Sequence, residues 1–312
     1  MSRLKLQDST VYFGNKFVPF SRANISIASS PVLYGLCIYT VFSVSWNNKQ
    51  KKLYAFRLND HFDRLVNSAK IMDFHGFVDE WTYDRFEDDM LALLKKNKVQ
   101  EDALVRATVF VDELVAGTKI HGLKNSFCAY VYPMGEILPR TGISACVSSW
   151  QRTADNAIPS RAKVNGSYIN ASLMKNEALL NGYDEAIAVD DRGHVTEGTV
   201  ANLFIVRGGK LITPDAATDI LEGITRSSVL EIADLHDIEH IQRSVDRSEL
   251  YLADEAFMCG SSARITPILS IDKRPVNDGK IGPITAKMMK YYEQVQRGSV
   301  KEFAHWRTTV KL

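Results

Sequence analysis

The stretch Ala162–Arg226, AKVNGSYINASLMKNEALLNGYDEAIAVDDRGHVTEGTVANLFIVRGGKLITPDAATDILEGITR, decides how the rest of the chain is read. Lys163 follows a Pro-Ser-Arg-Ala turn and precedes Asn165, Gly166 and Ser167, a segment too short and Gly-broken for a helix interior. A lysine taken alone is ordinarily a solvated surface residue. The residues after it argue otherwise. Glu197 comes after the polar turn Asp190-Asp191-Arg192-Gly193 and just ahead of Ala201–Val206, which predicts a buried strand, so an acid is expected at the margin of a sheet. Further on, Leu221-Glu222-Gly223-Ile224-Thr225-Arg226 opens a helical run with Val229, Leu230 and Ala233 as its apolar stripe. The N–H groups of Gly223, Ile224 and Thr225 would stand free at the helix N-terminus, a ready site for phosphate.

An amine, a carboxylate and a phosphate-binding helix start match the aldehyde, ring nitrogen and phosphate of pyridoxal 5'-phosphate. On these residues the chain resembles the class IV (fold type IV) pyridoxal-phosphate transaminases, most closely the branched-chain amino-acid aminotransferases. The shared pattern is Lys163 with Tyr168 five residues on, Glu197 followed by Asn202-Leu203-Phe204, and Leu-x-Gly-Ile-Thr-Arg at Leu221–Arg226. Val147-Ser148-Ser149-Trp150, Tyr251-Leu252-Ala253-Asp254-Glu255 and His-x-x-Arg-Leu at His61–Leu65 extend it over nearly the whole chain. Several separate motifs in one order are far more specific than any one of them.

The resemblance implies an α+β fold of two domains: a small N-terminal α/β domain, residues 1–139, and a larger cofactor-binding domain, residues 140–312, mixed, β-barrel-like and with helices. It implies that Lys163 is the catalytic residue, which holds the cofactor and then moves the substrate proton. Glu197 would keep the ring nitrogen protonated. Tyr168 would bond the phenolic oxygen, Leu221 would pack on the ring, and Arg64, Ile224, Thr225 and Ser261 would hold the phosphate, a task that suits the bidentate guanidinium of Arg64. Tyr34, Tyr39, Val41, Arg106, Ser261 and Ser262 would meet the substrate.

The substrate side departs from the family. Where the branched-chain enzymes have Phe-Glu-Gly-Ile-Arg this chain has Tyr39-Thr40-Val41-Phe42-Ser43; Leu104 replaces the tyrosine of Tyr-x-Arg, and Trp-Gly-x-Tyr becomes Met134-Gly135-Glu136-Ile137. Losing a hydroxyl near a carboxylate should weaken discrimination, since a hydrogen bond to a charged group contributes about 1.5–3 kcal/mol. The reading is transamination of a branched-chain L-amino acid with 2-oxoglutarate as acceptor, with altered or relaxed specificity. The alternative is an R-selective amine or D-amino-acid transaminase of the same fold, since Val41 and Ser43 are similar to R-selective enzymes. A non-catalytic protein of this fold is the remaining reading, against which stands the presence together of Lys163, Tyr168, Glu197 and Arg64.

Composition bounds the partners. The 312 residues suffice for two domains with substantial cores. A net charge of +1, with the basic residues scattered, disfavours nucleic acid. The N-terminal residues form no apolar h-region and no apolar run reaches the length of a membrane span, so a soluble, cytoplasmic protein is expected. Cys37, Cys128, Cys146 and Cys259 make no Cys-x-x-Cys spacing and read as reduced core residues. Class IV enzymes are commonly homodimers or larger, which implies at least a dimer here. His236-Asp237-Ile238-Glu239-His240 matches the inverted zinc-peptidase pattern, but it falls where a helix ends and an alternating stretch begins, so no metal is expected.

In chain order the pattern predicts a hairpin over 11–18, strands over 36–46 and 53–56, and a helix over 59–72 with His61, Arg64, Leu65 and Ser68 on one face. A helix over 82–96, strands over 105–111, 126–132 and 145–150, and a last helix over 284–296 follow, with the domain boundary in the Pro- and Gly-containing segment 134–142.

Overall fold

The computed structural model describes residues 4–135 and 137–311. Met1, Ser2, Arg3 and Leu312 lie outside the described residues, as does Glu136 of the altered Trp-Gly-x-Tyr segment. The chain folds into two compact units: residues 1–135 with 162–166 and 295–312, and residues 136–161 with 167–294. The first unit thus takes back two segments from beyond the boundary expected between residues 139 and 140.

In the first unit β1 (Thr10–Phe13) and β2 (Lys16–Pro19) form the expected hairpin. Its turn residues Gly14 and Asn15 both have positive φ, 55° and 63°, the backbone that a two-residue hairpin turn demands. A short helix α1 (Ser30–Tyr34) leads to the long β3 (Cys37–Asn47) and β4 (Lys52–Phe56). Helices α2 (Leu58–Ile71), α3 (His75–Glu80) and α4 (Tyr83–Lys96) follow, and then β5 (Ala103–Val111) and β6 (Asn125–Pro133). Thr82 caps α4 by accepting the Arg85 N–H, as its residue type favours. The six-residue α3 is not apparent in the sequence pattern. The sheet runs Arg307–Val310, β4, β3, β5, β6, β1, β2, all antiparallel between neighbours.

An aromatic core joins the helices to one face of this sheet. Phe42 of β3 meets Phe86 of α4, Phe62 of α2 meets Phe86 at 5.2 Å, and Phe77 of α3 stacks on Phe127 of β6. Because side chains alternate along strands, Tyr39, Val41, Arg106 and Tyr130 share the opposite face, with Val41, Arg106 and Tyr130 in register across three strands. Along β3, β4 pairs with Val44–Asn47 alone, so it leaves the first half of β3 uncovered on that edge. The segment around Lys163 takes that position: Val164 bridges Ile38, and the Tyr39 N–H donates to the Lys163 carbonyl at 3.0 Å.

The second unit comprises β7 (Ile143–Val147), α5 (Tyr168–Leu180), β8 (Glu185–Val189), β9 (Val195–Gly198), β10 (Asn202–Arg207) and β11 (Lys210–Thr213). Then come α6 (Ile224–Leu235), β12 (His240–Gln242), β13 (Glu255–Gly260), β14 (Arg264–Ile271), β15 (Arg274–Pro275) and α7 (Pro283–Gln296). Pairing runs β10, β13, β14, β7, β8, β9 and returns to β10, a closed ring that leaves these strands no open edge. The ring is closed by one residue pair, Asn202 opposite Glu197. Ile143, Ala145, Ile187, Leu203, Ile205, Met258 and Ile268 fill the core. β7 ends at Val147, short of the expected Trp150; the Ser149 backbone N–H, instead of pairing along a strand, donates to the Glu177 carboxylate of α5 at 3.0 Å. Glu255 caps α7, accepting N–H bonds from Ile284 at 3.0 Å and Thr285 at 2.6 Å. Among the described residues no helix is long and apolar enough to cross a membrane.

Candidate active site

In the first unit the expected residues gather along β3 and α2. The backbone of Lys163 is fixed from two sides: its carbonyl accepts from Tyr39, and its N–H donates to the Ser68 hydroxyl at 3.1 Å. Ser68 in turn donates to the Arg64 carbonyl at 2.8 Å, so the lysine segment and the helix carrying Arg64 share one anchor. Tyr34 ends α1 and is exposed; Gly35 after it has φ 67°, and a Cβ there would lie 2.9 Å from the Gly166 Cα. That close approach and the positive φ are why position 35 needs glycine. The Tyr39 ring has the Lys163 amine at 5.1 Å and the Arg106 guanidinium at 3.5 Å from its centroid, cation–π distances on one ring.

Thr40 points the other way, toward α2. Its hydroxyl lies 2.7 Å from His61 Nδ1 and accepts from Arg64 Nη2 at 3.1 Å. His61 is fully buried; burial first, then the charges of Arg64, Arg57 and Lys163, hold its imidazole well below the usual histidine range. The ring is neutral at physiological pH.

In the second unit Glu197 is 5 % exposed and surrounded by donors. Arg152 Nη2 stands 2.7 Å from one carboxyl oxygen, Asn202 Nδ2 donates to the other at 2.8 Å, and the Leu221 N–H reaches the first at 3.3 Å. Asn202 Nδ2 also donates to the Leu221 carbonyl at 2.9 Å, so one amide ties the barrel closure to the chain leading into α6. Gly223 is the N-cap of α6 and offers no side chain to its first N–H groups; a Cβ there would lie 1.9 Å from Asn202 Oδ1. Ile224 and Thr225 open the helix, and the Thr225 hydroxyl sits 3.4 Å from the Tyr292 hydroxyl of α7. Arg226, the last residue of the motif, is buried and structural: it donates to Thr213, the Pro214 carbonyl and Gln242. Tyr168 is the first residue of α5, and Ser261 and Ser262 form the turn between β13 and β14, just after Gly260.

Several residues beside the expected ones escape the sequence reading. Arg152 lies in an irregular segment far from Glu197 in sequence, with no local pattern to mark it. Tyr130 and Tyr132 of β6 stand directly across from Arg106 and Leu104, so hydroxyl-bearing rings flank the position where Leu104 lacks one. Burial pushes both phenols up, Tyr132 to about 12, so they remain protonated donors. Alternation along β6 could have indicated them, since their face is the one Arg106 shares. The histidines of the zinc-like pattern are engaged elsewhere: His236 stacks on Tyr291 at 3.6 Å and His240 bonds Asp234 at 2.9 Å.

Comparison with known proteins identifies the family. The amino-transferase class IV family matches residues 38–271. A probable branched-chain-amino-acid aminotransferase of Aquifex aeolicus is 36 % identical over 302 residues, 96 % of each chain. The crystal structure of a branched-chain aminotransferase from Thermoproteus uzoniensis with norvaline superposes with a TM-score of 0.91 at 34 % identity, covering 97 % of this chain and 99 % of that one. A branched-chain amino acid aminotransferase from Thermobaculum terrenum in PLP-form gives 0.90 at 31 % identity, covering 99 % and 100 %. The chain belongs to the class IV aminotransferases and has their α+β fold. It is an enzyme of amino-group transfer.

Proposed function

We propose that this chain is a pyridoxal-phosphate-dependent transaminase that passes the amino group of a branched-chain L-amino acid to a 2-oxo acid such as 2-oxoglutarate. The observation that carries the reading is the Glu197 carboxyl, buried under the donors Arg152, Asn202 and Leu221, with the glycine-capped start of α6 tied to it through Asn202. A buried carboxylate needs such donors, and a carboxylate so fixed suits the N–H of a pyridinium ring. The full donor set, with the Lys163 amine and the Arg64 guanidinium, matches the chemical groups of this cofactor.

When bound, pyridoxal phosphate supplies an aromatic ring that accepts the electron pair left as the substrate's Cα proton departs. Lys163 would hold the cofactor and, once displaced by the substrate amine, carry that proton as general base and acid. Glu197 would hold the proton on the ring nitrogen, with Arg152 and Asn202 orienting its carboxyl. Tyr168 would donate to the phenolic oxygen and Leu221 would cover the ring. Arg64, Ile224, Thr225 and Ser261 would bind the phosphate. Arg106 would attract the substrate carboxylate with Tyr39 fixing its guanidinium plane, while Tyr34, Val41, Ser261 and Ser262 bound the substrate. The reading includes a homodimer or larger assembly and a cytoplasmic location.

The test is the cofactor absorbance of purified protein mixed with one amine at a time. Bleaching by L-leucine and by L-glutamate, with Lys163→Ala inert to both, is the expected outcome. A response only to a D-amino acid or an R-configured aryl amine would move the enzyme to a neighbouring specificity; binding of no cofactor would overturn the reading.

A further inference from the structure

Thr40 occupies the place where the branched-chain family pattern has a glutamate, and it is wholly buried between β3 and α2. Its hydroxyl has two partners of opposite need. Arg64 Nη2, 3.1 Å away, can only donate, so Thr40 Oγ1 accepts from it. His61 Nδ1, 2.7 Å away, belongs to a ring in which burial and three neighbouring cations oppose a second proton. The one hydroxyl proton of Thr40 therefore goes to Nδ1, and the ring N–H sits on Nε2. The result is a directed chain: guanidinium N–H to threonine hydroxyl to imidazole.

We propose that Thr40 and His61 are positioning residues that aim the Arg64 guanidinium at the phosphate of the cofactor, a role that rests on the reading of Arg64 given above. Three features support it. The chain draws on two elements, His61 and Arg64 one turn apart on α2 and Thr40 on β3, so rotation of the guanidinium would break a bond in a buried site, where an unmade bond is expensive. Thr40 is neutral. It thus gives Arg64 a partner without adding a buried anion that would compete with a phosphate dianion for the same charge, as a glutamate would. His61 is neutral too and accepts rather than donates, so it adds no competing cation and draws the hydroxyl proton away from Arg64.

A phosphate-specific readout separates positioning from general packing. Apoenzyme, prepared by removing the cofactor, is titrated with pyridoxal phosphate and with pyridoxal, which lacks the phosphate, and binding is followed by absorbance and protein fluorescence. Thr40→Val keeps the shape and removes the hydroxyl; it should weaken pyridoxal phosphate about tenfold, the loss of one modest hydrogen-bond contribution, and leave pyridoxal unchanged. Thr40→Ser should restore the wild-type preference. His61→Phe keeps a ring but no acceptor, and should give the same phosphate-specific loss, which also covers the case of a Thr40→Val chain that does not fold. Equal weakening of both ligands, or no weakening of either, would overturn the positioning role while leaving the cofactor assignment intact. A wild-type protein that binds pyridoxal phosphate no better than pyridoxal would overturn both.

Discussion

His61 shows how a single side chain can carry an acid-sensitive part of the stability. Its folded-state pKa lies well below the ordinary value near 6.5, because burial and then Arg64, Arg57 and Lys163 oppose the charged form. The unfolded chain therefore takes up a proton at this residue before the folded protein does. The contribution is fully present above pH 6.5, and it is lost progressively as pH falls below that value toward the depressed folded pKa, by about 1.4 kcal/mol per pH unit. Urea midpoints of wild type and His61→Phe, compared at pH 7.5 and 5.5, should diverge accordingly: wild type loses stability on acidification by about 1.4 kcal/mol more than the variant. Parallel loss in the two proteins would show that His61 charges in the folded state. His61 and Thr40 also mark a limit of what sequence conveys. The His-x-x-Arg spacing is visible on paper, whereas the bond between His61 and Thr40 depends on a strand placed against the helix by long-range packing.

Gly223 connects a residue choice to the joining of two elements. Its φ of −74° is one that any residue adopts, so alanine would be conformationally free and, on unfolded-state entropy alone, stabilising by about 0.4–1 kcal/mol. The obstacle is Asn202 Oδ1, 1.9 Å from where the Cβ would sit. Asn202 would have to leave its bonds to Glu197 and the Leu221 carbonyl, the pair that locks β10, β9 and the start of α6 together. Gly223→Ala should therefore destabilise by about 2–4 kcal/mol, the sum of one neutral and one charge-assisted hydrogen bond. It should also weaken cofactor binding, as measured by thermal unfolding and by titration of apoenzyme. A rise in stability would mean that Asn202 can swing aside at no cost. At this scale much was legible. β3, β5, β6, α2, α4 and α7 follow from period and propensity, and α6 from its Gly-Ile-Thr start. The helix α5 was not legible, since Ile169, Leu173 and Leu180 are exposed on it and blur the apolar stripe. Nor was the barrel closure, a single antiparallel pair that leaves no periodic trace. The parallel pairings of β7 with β8 and β14 join segments distant in sequence and have no local signal at all.

For the chain as a whole, a single cut cannot describe the two units, because the segments 162–166 and 295–312 return to the first. Each return has a local cause. The lysine segment supplies backbone partners to the uncovered half of β3, and the C-terminal strand Arg307–Val310 covers the outer edge of β4. Trp306 leads into that strand: it is buried, stacks on Phe303 at 4.0 Å, meets Phe56 edge-on at 5.9 Å and lies under the Arg57 guanidinium at 4.4 Å. Its carbonyl accepts the Arg57 N–H at 2.6 Å, which ties the C-terminus to the first residues of α2 and so to the helix that carries His61 and Arg64. Phe303, Trp306 and Val310 are each nearly fully buried, and burial of such side chains contributes roughly 1.5–3 kcal/mol apiece. Their sum is of the order of a domain's net stability, about 5–15 kcal/mol. Removal of residues 303–312 also turns β4 into an open edge strand, a known route to aggregation. The shortened protein should therefore be recovered largely insoluble, or with a melting temperature lowered by at least 10 °C, on the scale of about 2–4 °C per kcal/mol for a chain unit of this size. Trp306→Ala, which keeps the strand, should lose about 3–5 kcal/mol by the cavity it leaves and still bind the cofactor below its melting temperature. A shortened chain with the wild-type melting temperature would show that the last segment is appended to the first unit rather than integral to it.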